Sequence, residues 1–368
     1  MVMKLSTVDF KKTIEAYSKQ FDVIQVLDPK GKVVDADIMK ELTDEELVSL
    51  MEDIVWGRAL DERTIVLNRQ GALGNYATAG GQEASQFGSL AAITKDDFLV
   101  PTYRDLGVLI RHGLPMYQGF LWYKGHVAGN QFDEDFNAYV PQVMVGGTLP
   151  PAAGVAIGKK FKGSKSVVLS FNGDGATSQG DFYEGLNFAG VYKAPLIAIT
   201  QNNKYGISVP VEQQTAAETL AQKGVAVGIL ALRVDGMDPV AMYATVKKAR
   251  EYALEGNGPV LIEALTYRFG PHTMSDDPKR YREDQELSEW MEKDPLIRLR
   301  NYLTEKGLWS EERENEVIDN LKAEVKEAMA RMAQEPAQKV SDFLKNTFEV
   351  IPPSIAEQIE KFEAKEMN

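Results

Sequence analysis

Cysteine is missing from all 368 residues, which excludes disulfide staples and thiolate metal sites and suits a reducing compartment. A basic surplus is missing too. Lys and Arg number 41 against 54 Asp and Glu, a net charge of −13, so there is no basic face to displace counterions from a phosphate backbone, and nucleic acid is set aside as a partner. No window approaches the roughly 20 apolar residues that span a bilayer. The opening MVMKLSTVDFKK carries no apolar signal core, so the expected setting is cytoplasmic, without a membrane. Histidine occurs only three times, and each copy can be weighed singly. What is present is ordinary for a folded chain: 44% apolar and 26% charged residues, enough for a large core or two smaller ones.

Changes of hydrophobic period divide the chain. Residues 1 to 42 mix charge with scattered apolar positions and read as an N-terminal extension lying on the main body. TDEE, Thr43 to Glu46, has the spacing of a capping box, and Leu47, Leu50, Met51, Ile54 and Val55 then recur at helical intervals. From about Leu149 to Arg268, short β-rich runs (SVVLSF, PLIAITQ, ALRVDG, PVLIEALTYR) alternate with helical stretches such as DFYEGLNFAGVY and DPVAMYATVKKAREYALE, the latter stopped by Gly256. Such alternation predicts an α/β fold, a doubly wound and mainly parallel sheet with helices on both faces, over residues 43 to 300. In residues 301 to 368 the composition turns to Glu and Lys, and Val317, Leu321, Val325, Ala328 and Met332 fall on one helical stripe. C-terminal helices packed on the main domain are expected there, interrupted at Pro336 and at Pro352 and Pro353.

The stretch FNGDGATSQG, Phe171 to Gly180, directly follows an apolar run. In an open parallel sheet, ligands collect outside the carboxyl ends of the strands, where the amides that follow favour anions. Two phosphate fingerprints fail there: the dinucleotide pattern needs a glycine where Ser178 stands, and GKKFKGSK precedes the strand and does not follow it. Asp174 suggests a hard cation instead. Magnesium takes oxygen ligands and is held by one or two protein groups plus the phosphate oxygens of a ligand. PLIAITQ runs into Asn202, Asn203, Lys204, Tyr205 and Gly206, which brings an amide oxygen to the next strand end. Either piece alone is a turn or a cap. The two together are far more specific.

The stretch GDGATSQGDFYEGLNFAGVYKAP…QNNKYGIS resembles the thiamine diphosphate motif. With LNRQGALGNYATAGGQEAS, PTYRDLG, KGHVAGNQ, VGGTLPPAAGVAIG, RVDGMDP, TYRFGPHTMSDDPKRYR and KGLWSEE, the likeness covers most of residues 45 to 345, and the chain is similar to alpha subunits of the first, decarboxylating component of 2-oxoacid dehydrogenase complexes. Within that family it looks most like bacterial members that act on pyruvate and have separate alpha and beta chains. Branched-chain 2-oxoacid members are the alternative, and a catalytically silent scaffold is a further one.

The resemblance implies roles. Asp174, the Asn203 side chain and the Tyr205 carbonyl would hold Mg2+; Gly175 and Ala176 amides, Arg104, Arg268 and the Tyr103 hydroxyl would hold the diphosphate of thiamine diphosphate. Val143 and Val145 match backbone positions for the aminopyrimidine ring, and Ile207 the apolar wedge that bends the cofactor. His272 would touch the diphosphate and position the incoming lipoyl group; His126 would bind or protonate substrate. Asp181 and Glu184 match carboxylates lining a channel between paired active sites, with solvated helix carboxylates as the plainer reading. SDDPKRYRED would be a loop over the mouth of the site, in which Tyr281 and Arg282 become ordered with cofactor. His112 reads as structural, and Gln82 and Glu83 as a helix start. The implied activity is oxidative decarboxylation of pyruvate with reductive acetylation of lipoamide. The implied assembly is two alpha and two beta chains, a beta-chain glutamate activating the cofactor, docked on a lipoyl-bearing acyltransferase core.

Overall fold

Six short strands in the computed structural model, which describes Lys12, Ala16 and residues 21 to 366, form one fully parallel sheet. They are β1 (Val23–Ile24), β2 (Phe98–Val100), β3 (Val168–Gly173), β4 (Leu196–Asn202), β7 (Leu230–Asp235) and β8 (Val260–Leu265), ordered β1-β7-β8-β4-β3-β2. Between β4 and β7 in the chain, β5 (Tyr205–Gly206) and β6 (Val209–Pro210) make a small antiparallel hairpin.

Strand side chains alternate between the two faces of the sheet, and each face has its own core. Leu169, Phe171, Ile197, Ile199, Val260 and Ile262 join one cluster; Val168, Leu196, Ala198 and Leu261 join the other. This is why the strands read as mainly apolar runs and not as strict alternation, with Arg233 in β7 and Glu263 in β8 as charged exceptions. Helices α1 (Asp44–Arg69), α2 (Glu83–Ala91) and α7 (Pro239–Leu254) cover the first face, and α5 (Leu149–Phe161) and α6 (Gly180–Val191) the second. α5 and α6 approach closely because Gly185 has no side chain: a Cβ there would lie 2.7 Å from the carbonyl carbon of Leu149. The predicted doubly wound α/β architecture is therefore present.

α1 begins as its sequence dictates. Thr43 Oγ1 accepts from Glu46 N at 3.2 Å and the Glu46 carboxylate accepts from Thr43 N at 2.8 Å, a complete capping box, and Leu47, Leu50, Met51, Ile54 and Val55 are all buried. Further on, α8 (Pro295–Glu305) and α9 (Glu311–Met332) pack on α1, with Leu321, Val325, Ala328 and Met332 buried. After Pro336 come α10 (Val340–Lys345) and α11 (Pro353–Glu366), the latter with proline at its first position, where the missing N–H costs nothing. No helix among the described residues is long and apolar enough to cross a membrane.

The stretch read as an extension does more than lie on the body. Residues 1 to 11, 13 to 15 and 17 to 20 fall outside the described residues, but β1 adds an edge strand beside β7, with Val23 opposite Arg233 and Ile24 opposite Val234. Two residues are too few to show a period. Asp238 secures this edge: one carboxylate oxygen accepts from Val26 N and Leu27 N at 2.7 Å each, while the other caps α7 by accepting from Val240 N and Ala241 N. The fully buried Arg298 completes the junction, donating to Leu27 O at 2.8 Å and to Asp235 Oδ2 at 2.7 Å.

Candidate active site

β3 and β4 end side by side, Gly173 opposite Gln201. The two chains beyond those ends, with the β5–β6 hairpin, enclose a cavity of about 390 Å³ lined by Asp174, Gly175, Ala176, Gln82, Gln201, Asn203, Tyr205 and Ile207, and by Tyr103, Arg104, Val145, Arg268 and His272. Most of the expected site residues thus meet in one place. A short 3-10 turn, Asp174–Ser178, separates β3 from α6.

Asp174 is 2% exposed. Burial pushes its carboxyl up, while a bond from Gln214 Nε2 at 2.9 Å and the charges of Arg268 and Arg104 favour the anion. Asn203 is also buried and donates Nδ2 to Gln82 Oε1 at 2.9 Å, which leaves its oxygen toward the Tyr205 backbone and the cavity. Tyr205 starts the hairpin, its hydroxyl donating to Glu286 at 2.6 Å. Among the described residues no three His, Cys, Asp or Glu side chains gather as a metal group. Oxygens are nonetheless available as one carboxylate, one amide and one backbone carbonyl, a set that suits Mg2+ when phosphate oxygens complete it.

The anion side is equally specific. Arg268 is 1% exposed; its Nη2 donates to Ile207 O at 3.1 Å and the Tyr281 hydroxyl at 3.0 Å, while Nη1 is buried with no hydrogen-bond partner. A buried guanidinium nitrogen left unpaired is costly unless a ligand takes it. A Cβ on Gly173 would meet no atom within 4 Å, so the backbone there lies open to a ligand. Two guanidinium groups face one carboxylate in the lining, which favours an anionic guest.

Arg104 is turned to a different task from the one expected. Nη1 bonds the Thr78 carbonyl, and Nη2 donates to His272 Nδ1 at 3.2 Å and to His272 O at 3.1 Å. A guanidinium cannot accept, so Nδ1 must, and the His272 proton resides on Nε2. Burial together with Arg104 and Arg268 lowers this imidazole to about 4. An unfolded histidine binds its proton near 6.5, so this contribution to stability is complete above 6.5 and is lost as pH falls toward 4. The His272 ring resonance, assigned by its loss in His272→Asn, is expected to titrate with a midpoint of about 4 in the chain without cofactor. A midpoint near the ordinary value would mean that neither burial nor the two cations act on it.

Ile207 is the first of the two turn residues between β5 and β6 and has φ 61°. Hairpin turns put glycine at such a position, and a β-branched residue there carries about 1–2 kcal/mol of strain. Its side chain is 56% exposed and borders the cavity.

Other expected residues lie elsewhere. His126 is not in the cavity lining: its Nδ1 accepts from Ala128 N at 3.2 Å and its Nε2 lies 3.0 Å from Pro336 O. Val143 is 65% exposed and outside the lining, two residues from Val145. Asp181 and Glu184 share α6 but do not border the cavity. His112 is buried against Phe136 with Nε2 3.2 Å from Asn137 O, as its structural reading has it. Tyr281 and Arg282 are anchored already, Tyr281 donating to Asp276 at 2.6 Å and Arg282 reaching Arg268 O and Phe269 O. Three glutamines of the lining escaped sequence reasoning as site residues: Gln82, which stands at the N-cap of α2 as its helix-start reading has it, and Gln201 and Gln214, which no motif singles out. The one available signal was the place of Gln201, at a strand end directly before the asparagine pair.

Comparison with known proteins matches residues 51–341 to the family model described as "Dehydrogenase E1 component". Among similar curated proteins, the pyruvate dehydrogenase E1 component subunit alpha of Bacillus subtilis (strain 168) is 52% identical over 364 residues, 99% of this chain and 98% of that one. The proteins of the same name from Bacillus cereus and Staphylococcus aureus (strain Mu50 / ATCC 700699) are 51% identical over 96% of this chain and 95% of theirs, and 50% identical over 97% of both. A family match over most of the sequence, joined to half-identical relatives along nearly its whole length, establishes that the chain belongs to the dehydrogenase E1 component family.

Proposed function

We propose that the chain is the alpha subunit of a thiamine diphosphate- and Mg2+-dependent pyruvate dehydrogenase, which decarboxylates pyruvate oxidatively and passes the acetyl group to lipoamide on an acyltransferase core. The observation that carries this reading is one cavity where the buried Asp174 carboxylate and the Asn203 amide oxygen lie beside a buried, unpaired Arg268 nitrogen. That arrangement calls for a cation bridging to an anionic tail. The half-identical relatives carry the pyruvate dehydrogenase name; pyruvate is taken from them.

Thiamine diphosphate supplies the electron sink that decarboxylation of a 2-oxoacid requires. The chain supplies the rest. Asp174, Asn203 and the Tyr205 carbonyl would hold the metal. Arg268 Nη1 and the Gly175 and Ala176 amides would hold the diphosphate, with the Tyr103 hydroxyl nearby. Arg104, whose Nη atoms are committed to Thr78 and His272, contributes charge and fixes His272 as a neutral donor through Nε2. Ile207 would border the ligand from a turn whose carbonyl Arg268 holds.

The lining is incomplete in one chain. Met144 and Val145 in the lining and the adjoining Val143 are 63%, 50% and 65% exposed, which suits coverage by a beta subunit in an assembly of two alpha and two beta chains. In that assembly Val143 and Val145 would offer backbone to the aminopyrimidine, Asp181 and Glu184 would face the channel between sites, and His126 would exchange the Pro336 carbonyl for substrate.

The test uses the co-purified alpha–beta assembly. Thermal melting is expected to shift upward with magnesium and thiamine diphosphate, and dye reduction to run faster with pyruvate than with 2-oxobutyrate or 2-oxoisovalerate. No shift at saturating ligand supports a silent scaffold, and faster turnover of 2-oxoisovalerate supports the branched-chain reading. Pocket size discriminates a few methylenes by only ~1–3 kcal/mol, so the substrates must be compared directly.

A further inference from the structure

From the cavity wall inward, a chain of buried side chains joins Asn203, Gln82 and Gln201, which line the cavity, to Asp105, which does not. Asp105 is fully buried, and four hydrogen-bond donors point at it. Thr102 N and Oγ1 reach Oδ2 at 2.8 and 2.6 Å, and Gln86 Nε2 and Gln201 Nε2 reach Oδ1 at 2.8 and 2.9 Å. Gln201 Oε1 in turn accepts from Gln82 Nε2 at 3.0 Å, and Gln82 Oε1 accepts from Asn203 Nδ2 at 2.9 Å. Gln82, Gln201 and Asn203 are 0%, 3% and 6% exposed, so water does not readily replace these bonds.

We propose that Asp105, acting through Gln201 and Gln82, sets which end of the Asn203 amide faces the cavity. An amide can turn over and present either its oxygen or its NH2 with almost no change of shape. A carboxylate cannot donate. Thr102 N can only donate to Oδ2, and Oδ1 lies between two glutamine NH2 groups, so Asp105 presents an acceptor to Gln201, although burial works the other way and raises its pKa. Gln201 must therefore turn its NH2 to Asp105 and its oxygen to Gln82. Gln82 must then turn its NH2 to Gln201 and its oxygen to Asn203. Asn203 is left with its NH2 inward and its oxygen toward the cavity, the only orientation that can ligate a cation. One fixed anion thus orders three neutral amides in sequence, and they are positioning residues for the metal site.

This inference rests on the proposed function, and the test separates the two. Mn2+, with thiamine diphosphate present, is titrated into the alpha–beta assembly by electron paramagnetic resonance, which reads free metal without turnover. Gln82→Met keeps length but neither accepts from Asn203 nor donates to Gln201. Its Mn2+ dissociation constant is expected to rise at least tenfold. Gln82→Glu keeps an acceptor for Asn203 and, when protonated, a donor for Gln201, and is expected to bind within about threefold of wild type. Asp105→Asn, which allows all three amides to turn over, is expected to weaken binding as Gln82→Met does, and it decides the matter if Gln82→Met does not assemble. A packing role alone predicts the reverse order for the two Gln82 variants. Metal affinity in Gln82→Met and Asp105→Asn within twofold of wild type, or in Gln82→Glu as weak as in Gln82→Met, overturns the relay. A wild-type assembly that binds no Mn2+ overturns the proposed function and the relay together.

Discussion

An Asp174→Ala enzyme is expected to melt at the same temperature with and without magnesium and thiamine diphosphate, while wild type gains about 2.7 kcal/mol at a hundredfold excess over Kd. Without ligand the variant loses one hydrogen bond, from Gln214 Nε2, worth ~1 kcal/mol. It also loses a buried anion that burial already disfavours. These effects oppose each other, so the variant folds with nearly unchanged stability and the loss is confined to the ligated state. Activity should fall by roughly 10³-fold or more, because a metal held by neutral oxygens alone neither anchors a diphosphate nor offsets its charge. Undiminished cofactor affinity in the variant would remove Asp174 from the metal site.

The second large effect concerns the frame. Asp238→Ala removes the acceptor for Val26 N and Leu27 N, the N-cap of α7, and one of two carboxylates near the buried Arg298. Arg298 already has two buried nitrogens without partners. A cap is worth ~1 kcal/mol and a broken buried charge pair 3–5 kcal/mol, so a loss of about 4 kcal/mol in urea unfolding is expected. The Val26 and Leu27 amides should also exchange faster with solvent. A loss below about 1 kcal/mol would mean that Arg298 and Asp235 hold the edge strand unaided. Asp238→Asn, which keeps an acceptor for the cap, should fall between.

What could be read from residues alone follows from local physics. β3, β4, β7 and β8 are apolar runs bounded by turns, and the capping box at Thr43 lies within four residues, so these elements were legible. The GDG and NN pieces were legible as a pair because both fall at strand ends, which parallel register then makes neighbours. β1 was not legible, since two residues show no period and its place depends on contacts 210 residues away. Nor were Gln82 and Gln201, whose side-chain partners come from three separate segments, around Ser85, Asp105 and Asn203. An amide with no motif looks like any surface glutamine until its burial is known. The pairing of Arg104 with His272, and of His126 with Pro336, likewise depends on loops whose course no spacing dictates.

The left-handed backbone at Ile207 has a consequence for recognition. The hairpin adopts a disfavoured torsion as the chain folds, and the Arg268 guanidinium clamps its carbonyl. A rigid bump is thereby present before any guest arrives. An incoming molecule able to curl around it meets little further loss of freedom in the wall, whereas a straight one of equal charge must either push aside a clamped turn or leave the interior half filled.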